Sequence, residues 1–231
     1  MADNSLRKTI PILYEDDAIC VVNKPYGVAV QGGAGVRLPL TDILALQLNT
    51  AVYPVHRLDK ETSGLLIIAK NAEAAAQCHQ LFASNKVEKN YVAVCFGSSP
   101  AKKDGVITAP IREKGIKKDA VTQYRVLCGN GDVTVFHIRL HTGRMHQIRI
   151  HLAEIGNPII GDDKYGNFAL NKHLWKQQRI RKLQLCAYRL AFPLRGVLRR
   201  FTIAIPDHIE SCLSGFNLSL NTETYSETNI S

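Results

Sequence analysis

A polar turn that runs straight into an unbroken apolar strand constrains this chain more than any other stretch. It reads Val55-His56-Arg57-Leu58-Asp59-Lys60-Glu61-Thr62-Ser63-Gly64, then Leu65-Leu66-Ile67-Ile68-Ala69-Lys70. The continuous apolar run from Leu65 to Ala69 implies a strand buried on both faces, in the middle of a sheet. Asp, Ser, Thr and Gly open many strands for backbone reasons alone. Those reasons do not account for His56, Arg57 and Asp59 packed together just ahead of a buried strand. A turn on such a support is where a reacting group can be held, and Asp59 is the residue it singles out.

The rest of the chain surrounds that strand with others. Short strands are expected at 12–14 and 18–22, with an acidic turn at Glu15-Asp16-Asp17 between them. Thr41 is the expected N-cap of a short helix ending at Leu48, and Asn71 that of a helix over 72–83. In the second helix Ala74, Ala75, Cys78, Leu81 and Phe82 form the apolar stripe. Residues 91–96 read as a strand, 112–118 as a basic loop, and 121–127 with 133–140 as a strand pair around a Gly-Asn-Gly turn. A helix follows from Arg144 or Met145 to Glu154, with Met145, Ile148, Leu152 and Ile155 facing the core and Gly156 stopping it. Residues 171–182 are basic and partly helical, and a last strand pair turns at Gly196. This pattern predicts an α+β fold with a large, mainly antiparallel sheet and a few packed helices. The expected organisation is a flexible segment over 1–10, one domain over 11–209 and a disordered polar tail over 210–231.

With 231 residues the chain can build a core without staples. Its six cysteines are scattered, with no CxxC pair, which argues against a disulfide framework or a zinc site and for a reducing, cytoplasmic setting. No stretch approaches a membrane span. The formal net charge of +9 makes an acidic partner the expectation, with nucleic acid first. Positive charge gathers at His173, Lys176, Arg179, Arg181 and Lys182 around Trp175, at Arg195, Arg199 and Arg200, and in the segments 102–103 and 112–118. Such groups suit phosphate contacts, which position a nucleic acid without reading it.

Other chemistries fit less well. Asp59 and Glu61 could form the carboxylate pair of a glycoside hydrolase, but Glu61 sits between Lys60 and Thr62 where a solvated salt link serves it better. Asp162 and Asp163 are adjacent, and turn capping explains them. His141, His146 and His151 recur every five residues, a poor spacing for two metal ligands on one helix face, and no metal is expected. Gln31-Gly32-Gly33-Ala34-Gly35 lacks the order of a dinucleotide or phosphate loop.

Several motifs, in order, resemble one family. His56-Arg57-Leu58-Asp59-Lys60-Glu61-Thr62-Ser63-Gly64-Leu65-Leu66 looks like the catalytic motif of the RluA family of pseudouridine synthases. Val22-Asn23-Lys24-Pro25 resembles its opening motif, Lys89 to Ala93 its tyrosine strand, and Thr142 to His151 the motif that carries its active-site arginine. Gly156-Asn157-Pro158-Ile159-Ile160-Gly161-Asp162 follows in the family's manner, so that the likeness covers roughly residues 10–206.

The resemblance implies a pseudouridine synthase catalytic fold and an isomerase of uridine in structured RNA. Asp59 would be the essential aspartate, Tyr91 would stack on the target base and assist proton removal at C5, and Arg149 would pair with Asp59. Attack on the ribose, attack on the base and a glycal route all stay open. Arg57, Thr62, Arg144 and His146 would contact or support RNA, with Lys176, Arg179 and Arg181 from the basic segment. An isomerisation needs no cofactor. Ribosomal RNA is favoured, in the manner of the family's C-type and D-type enzymes that act on the large ribosomal particle, and transfer RNA is the alternative. The enzyme is expected to be a monomer, and either a compact member without the S4-like module that many relatives carry ahead of the catalytic domain or one from which that module has been removed. A non-catalytic RNA-binding or ribosome-assembly protein is the competing reading.

Overall fold

The computed structural model describes residues 9–220. In chain order the elements are β1 (Ile12–Glu15), β2 (Ile19–Lys24), α1 (Leu40–Leu48), β3 (Tyr53–Pro54), β4 (Ser63–Ala69) and α2 (Ala72–Ala83). Then come β5 (Glu88–Phe96), β6 (Asp104–Ile107), β7 (Ile111–Glu113), β8 (Ile116–Lys118), β9 (Thr122–Gly129) and β10 (Val133–Leu140). The chain closes with α3 (Gln147–Glu154), α4 (Phe168–Gln178), β11 (Leu185–Leu194), β12 (Val197–Thr202) and α5 (Asp207–Gly215). The architecture is α+β, with antiparallel strand pairing and helices flanking the sheet. The described residues group into two compact units. The first holds residues 9–87 together with Arg189–Ile203, and the second holds Glu88–Tyr188 with residues 204–220.

In the first unit β2 lies between β1 and β4, and β3 pairs with the end of β4. The register of β2 on β4 runs from Ile19 opposite Ala69 to Lys24 opposite Gly64. All seven residues of β4 are buried, as the apolar run requires. Ile19, Val21, Leu65, Ile67, Leu190 and Phe192 pack against Ala74, Ala75 and Cys78 of α2. Fully burying a side chain such as Leu65 or Ile67 is worth roughly 1.5–3 kcal/mol. Asn71 caps α2 through its side-chain oxygen, which accepts from the Ala74 amide at 2.8 Å. Thr41 does not cap α1: the N-cap is Pro39, and the Thr41 hydroxyl bonds Asp42 instead. Arg195 and Gly196, both at positive φ, make the two-residue turn between β11 and β12.

In the second unit the strand order is β5-β10-β9-β6, all antiparallel. The segment 112–118 is no loop: β7 and β8 pair as a hairpin around Lys114 and Gly115, both at positive φ. Only Ile111 in these two strands is buried, so no alternation of apolar and polar residues announces them. Helix α3 starts at Gln147, later than expected, and Met145 is 58% exposed instead of facing the core. Ile148 and Leu152 keep their predicted buried places.

Both expected termini need correction where they can be seen. Residues 1–8 and 221–231 lie outside the described part. Ile10, assigned to the flexible segment, is buried, and its backbone exchanges two hydrogen bonds with the Gln47 side chain. The expected tail over 210–231 begins inside α5, which buries Ile209, Cys212 and Leu213. Those apolar residues, at helical spacing, outweigh the surrounding Ser and Glu.

Candidate active site

The first unit builds the Asp59 turn. The Asp59 carbonyl accepts from the Thr62 amide at 3.1 Å, closing a four-residue turn directly into β4. Lys60, one residue on, has a carbonyl that accepts twice: from the Gly27 amide at 2.9 Å and from the Lys24 ammonium at 3.1 Å. Lys24 is fully buried, and its Nζ also donates to the carbonyls of Val28 at 2.7 Å and Pro25 at 3.1 Å. Charge-assisted bonds of this kind are the strong ones in a low-dielectric interior. The Asn23-Lys24-Pro25-Tyr26-Gly27 loop is thus bolted to the turn. On the other side of Asp59, His56 Nε2 accepts from the Ile67 amide at 2.9 Å, and its ring lies 4.6 Å from that of Phe82. Accepting at Nε2 places the neutral ring's proton on Nδ1. Leu58 and Thr62 are buried, Asp59 is half-buried and Arg57 is exposed. Backbone and side-chain anchors on both flanks therefore hold the backbone of the Asp59 turn at a fixed place. Thr62 belongs to the interior of the turn and not to the outer surface.

The second unit positions the other two residues. Tyr91, 5% exposed, stands in β5 opposite Ile138 of β10. Its neighbour Asn90 bonds His137 at 3.1 Å and Glu88 at 2.8 Å, so polar contacts fix β5 against β10 beside the tyrosine.

Arg149 sits on α3, and helical geometry explains its surroundings. Gln147 and His151, four residues apart, share one face, and Arg149 projects from the opposite side. Gln147 meets Thr142, the Arg144 amide, the Val121 carbonyl and Thr122, a full complement of four hydrogen bonds. His151 bonds Thr122 and the Ala109 carbonyl, both at 2.9 Å. These contacts staple the helix to β9, and they serve where no side chain caps it, the N-cap being His146 at φ 55°. The Thr142 hydroxyl is taken up in the same network, donating to Gln147 and accepting from the Val121 amide.

Arg149 is 3% exposed and is gripped in a fork by Asp162, Nε to Oδ2 at 2.7 Å and Nη2 to Oδ1 at 2.8 Å. Asp163 adds a contact at 3.1 Å, and the guanidinium lies 5.4 Å from the Tyr165 ring centre. Asp162 also accepts from the Lys164 and Tyr165 amides, both at 2.9 Å. Burial pushes the Asp162 carboxyl up, but the Arg149 guanidinium and those two amides outweigh it and hold the group below the usual carboxylate range. His146 Nδ1 meets the Tyr165 hydroxyl at 3.1 Å, which joins it to the same cluster. Asn171 of α4 completes the brace, accepting from the Gly161 amide and donating to the Asp162 carbonyl.

Of the residues singled out in sequence, Arg57, Asp59 and Thr62 thus share one turn, and His146 and Arg149 meet around Tyr165. Arg144 bonds the Asp119 carbonyl at 3.0 Å. Lys176, Arg179 and Arg181 lie apart from that cluster, exposed at and beyond the end of α4. Asp162 caps its turn, as its sequence neighbours suggest. Its larger task, clamping Arg149, spans thirteen residues and leaves no local signature.

Comparisons with known proteins show the family. The profile of the RNA pseudouridylate synthase family matches residues 18–154. The ribosomal large subunit pseudouridine synthase C of Rickettsia typhi is 40% identical over 171 residues, 68% of this chain and 56% of that protein. The chain thus spans less than two thirds of that relative. The ribosomal large subunit pseudouridine synthase D of Haemophilus influenzae is 32% identical over 234 aligned positions, 88% of this chain and 69% of that protein. Among solved structures, human RNA Pseudouridylate Synthase Domain Containing 4 superposes with a TM-score of 0.78 at 28% identity, covering 92% of this chain and 95% of that one. On the matched residues and the extent of these likenesses, the chain belongs to the RNA pseudouridylate synthase family.

Proposed function

We propose that the chain is an RluA-type pseudouridine synthase that isomerises uridine in large-subunit ribosomal RNA. The observation that carries the reading is the Asp59 turn, a half-buried carboxylate whose backbone is clamped by the buried Lys24 and by β4. The names of the Rickettsia and Haemophilus relatives support ribosomal RNA as substrate, ahead of transfer RNA.

In this reading the target uridine leaves its stack, at a cost of a few kcal/mol that backbone contacts offset. Asp59 promotes cleavage of the N1–C1′ bond through the ribose, through the base or through a glycal. The freed uracil turns and C5 bonds to C1′. The C5 proton departs and N1 gains one, so atoms balance and the RNA keeps its mass. Tyr91 stacks on the base and assists the proton removal at C5. Arg149, already rigid in the grip of Asp162, pairs with Asp59 and positions it. Arg57, Arg144 and His146 contact or support the RNA.

The test is incubation with ribosomal RNA and transfer RNA lacking the modification, followed by mapping of pseudouridine at single-nucleotide resolution. New pseudouridine in ribosomal RNA with the wild type and none with Asp59→Asn supports the reading. Pseudouridine only in transfer RNA moves the substrate, and none in either RNA leaves the non-catalytic RNA-binding reading.

A further inference from the structure

Helix α4 carries a feature that the isomerisation does not use. Between residues 164 and 182 the sequence has six Lys or Arg and no Asp or Glu. Phe168, Lys172, Trp175, Lys176 and Arg179 recur at intervals that place them on one side of the helix. Phe168 is 61% exposed and Trp175 40%, whereas Leu174, off that side, is buried. The Trp175 indole has Arg179 Cζ at 5.3 Å and Arg181 Cζ at 5.6 Å from its ring centre. No carboxylate pairs with either arginine among the described residues.

Both guanidinium groups lie within cation–π reach of the indole, which draws them to one place on the surface. Their N–H forks suit phosphate, and Lys172 and Lys176 extend the positive track. Phe168, bare at the other end, offers a face on which an unpaired base can stack. A merely solvated basic face needs neither exposed aromatic. Asn171 ties this helix to the loop that grips Arg149, so the track is anchored to a rigid part of the second unit.

We propose that α4 and the Arg179–Arg181 segment form an accessory site for an unpaired stretch of RNA beyond the target uridine, with Phe168 stacking a base and the two arginines beside Trp175 holding phosphates. The inference rests on the RNA reading above and adds a binding surface to it.

Fluorescence anisotropy tests it with a labelled single-stranded RNA of about 16 nucleotides and the duplex of the same sequence, over a series of salt concentrations. Phe168→Ala should weaken single-strand binding at least about fivefold and leave duplex binding unchanged. Arg179→Ala with Arg181→Ala should reduce the salt slope by about 1.4, the value for two phosphate contacts on a single strand. Trp175→Ala should lower both affinity and slope, and Trp175→Phe should restore them. The inference is overturned if Phe168→Ala binds both RNAs as the wild type does, or if the arginine variant keeps the wild-type slope. These variants touch exposed residues, and equal thermal unfolding curves confirm that they fold. Wild-type protein that binds neither RNA also overturns it. Failure of the isomerase reading is separate, because it shows in pseudouridine mapping and not in anisotropy.

Discussion

Replacing Asp162 by Ala removes both arms of the fork that holds Arg149. The two side chains are 0% and 3% exposed, so the pair sits where water cannot substitute for the lost carboxylate. Breaking a buried ion pair from one side costs about 3–5 kcal/mol. For a protein of this size that corresponds to a fall in Tm of roughly 6–20 °C. Asp163 provides the internal contrast. It touches the same guanidinium at 3.1 Å but is 81% exposed, so Asp163→Ala should cost under about 1 kcal/mol. Urea denaturation followed by far-UV circular dichroism measures both. The double change Arg149→Met with Asp162→Leu should recover much of the loss, because matched apolar groups no longer bury a charge. Asp162→Ala unfolding within about 1 kcal/mol of the wild type, or equal effects at Asp162 and Asp163, would refute the assignment of the clamp.

Three further outcomes are expected. The low-lying Asp162 carboxyl contributes stability that is complete above the unfolded-state value of about 4 and is lost as pH falls below it toward the folded value. Asp162→Asn should therefore show a shallower fall in stability below about pH 4 than the wild type, and identical pH profiles would contradict the linkage. Lys24→Met takes the donor from three backbone carbonyls around the turn and should cost about 3–5 kcal/mol, at the upper end of single changes, with kcat falling more than stability alone explains; unfolding and kinetics at one temperature separate the two effects. Asn71→Ala should cost about 1 kcal/mol through the lost cap on α2, as read by the same denaturation series, and leave pseudouridine formation unchanged in the mapping assay.

The legible parts of the fold are those governed by local rules. The buried strand β4 follows from its apolar run, and α2 from Asn71 and its stripe. The parts that are not legible depend on partners far away in sequence. Met145 fits the helical period of α3, yet the helix starts at Gln147, since long-range bonds of Gln147 and not a local cap fix its beginning. Met145 is left outside, where its amide bonds Glu113 of β7. The β7–β8 hairpin has almost no buried residue and therefore no pattern. Asp59, Tyr91 and Arg149 stand out through the family resemblance. The devices that position them do so less: Lys24 reaches a carbonyl thirty-six residues away, and Asp162 looks from its neighbours like any turn aspartate.

Asp59 carries the proposed chemistry. The most direct measurement compares wild type, Asp59→Asn and Asp59→Ala on unmodified ribosomal RNA, with pseudouridine mapped at single-nucleotide resolution. New pseudouridine with the wild type and none with either variant, all three proteins being equally folded, is the predicted result. A signal that survives in both variants would remove Asp59 from the chemistry, and no signal with the folded wild type on either ribosomal or transfer RNA would contradict the proposed activity itself.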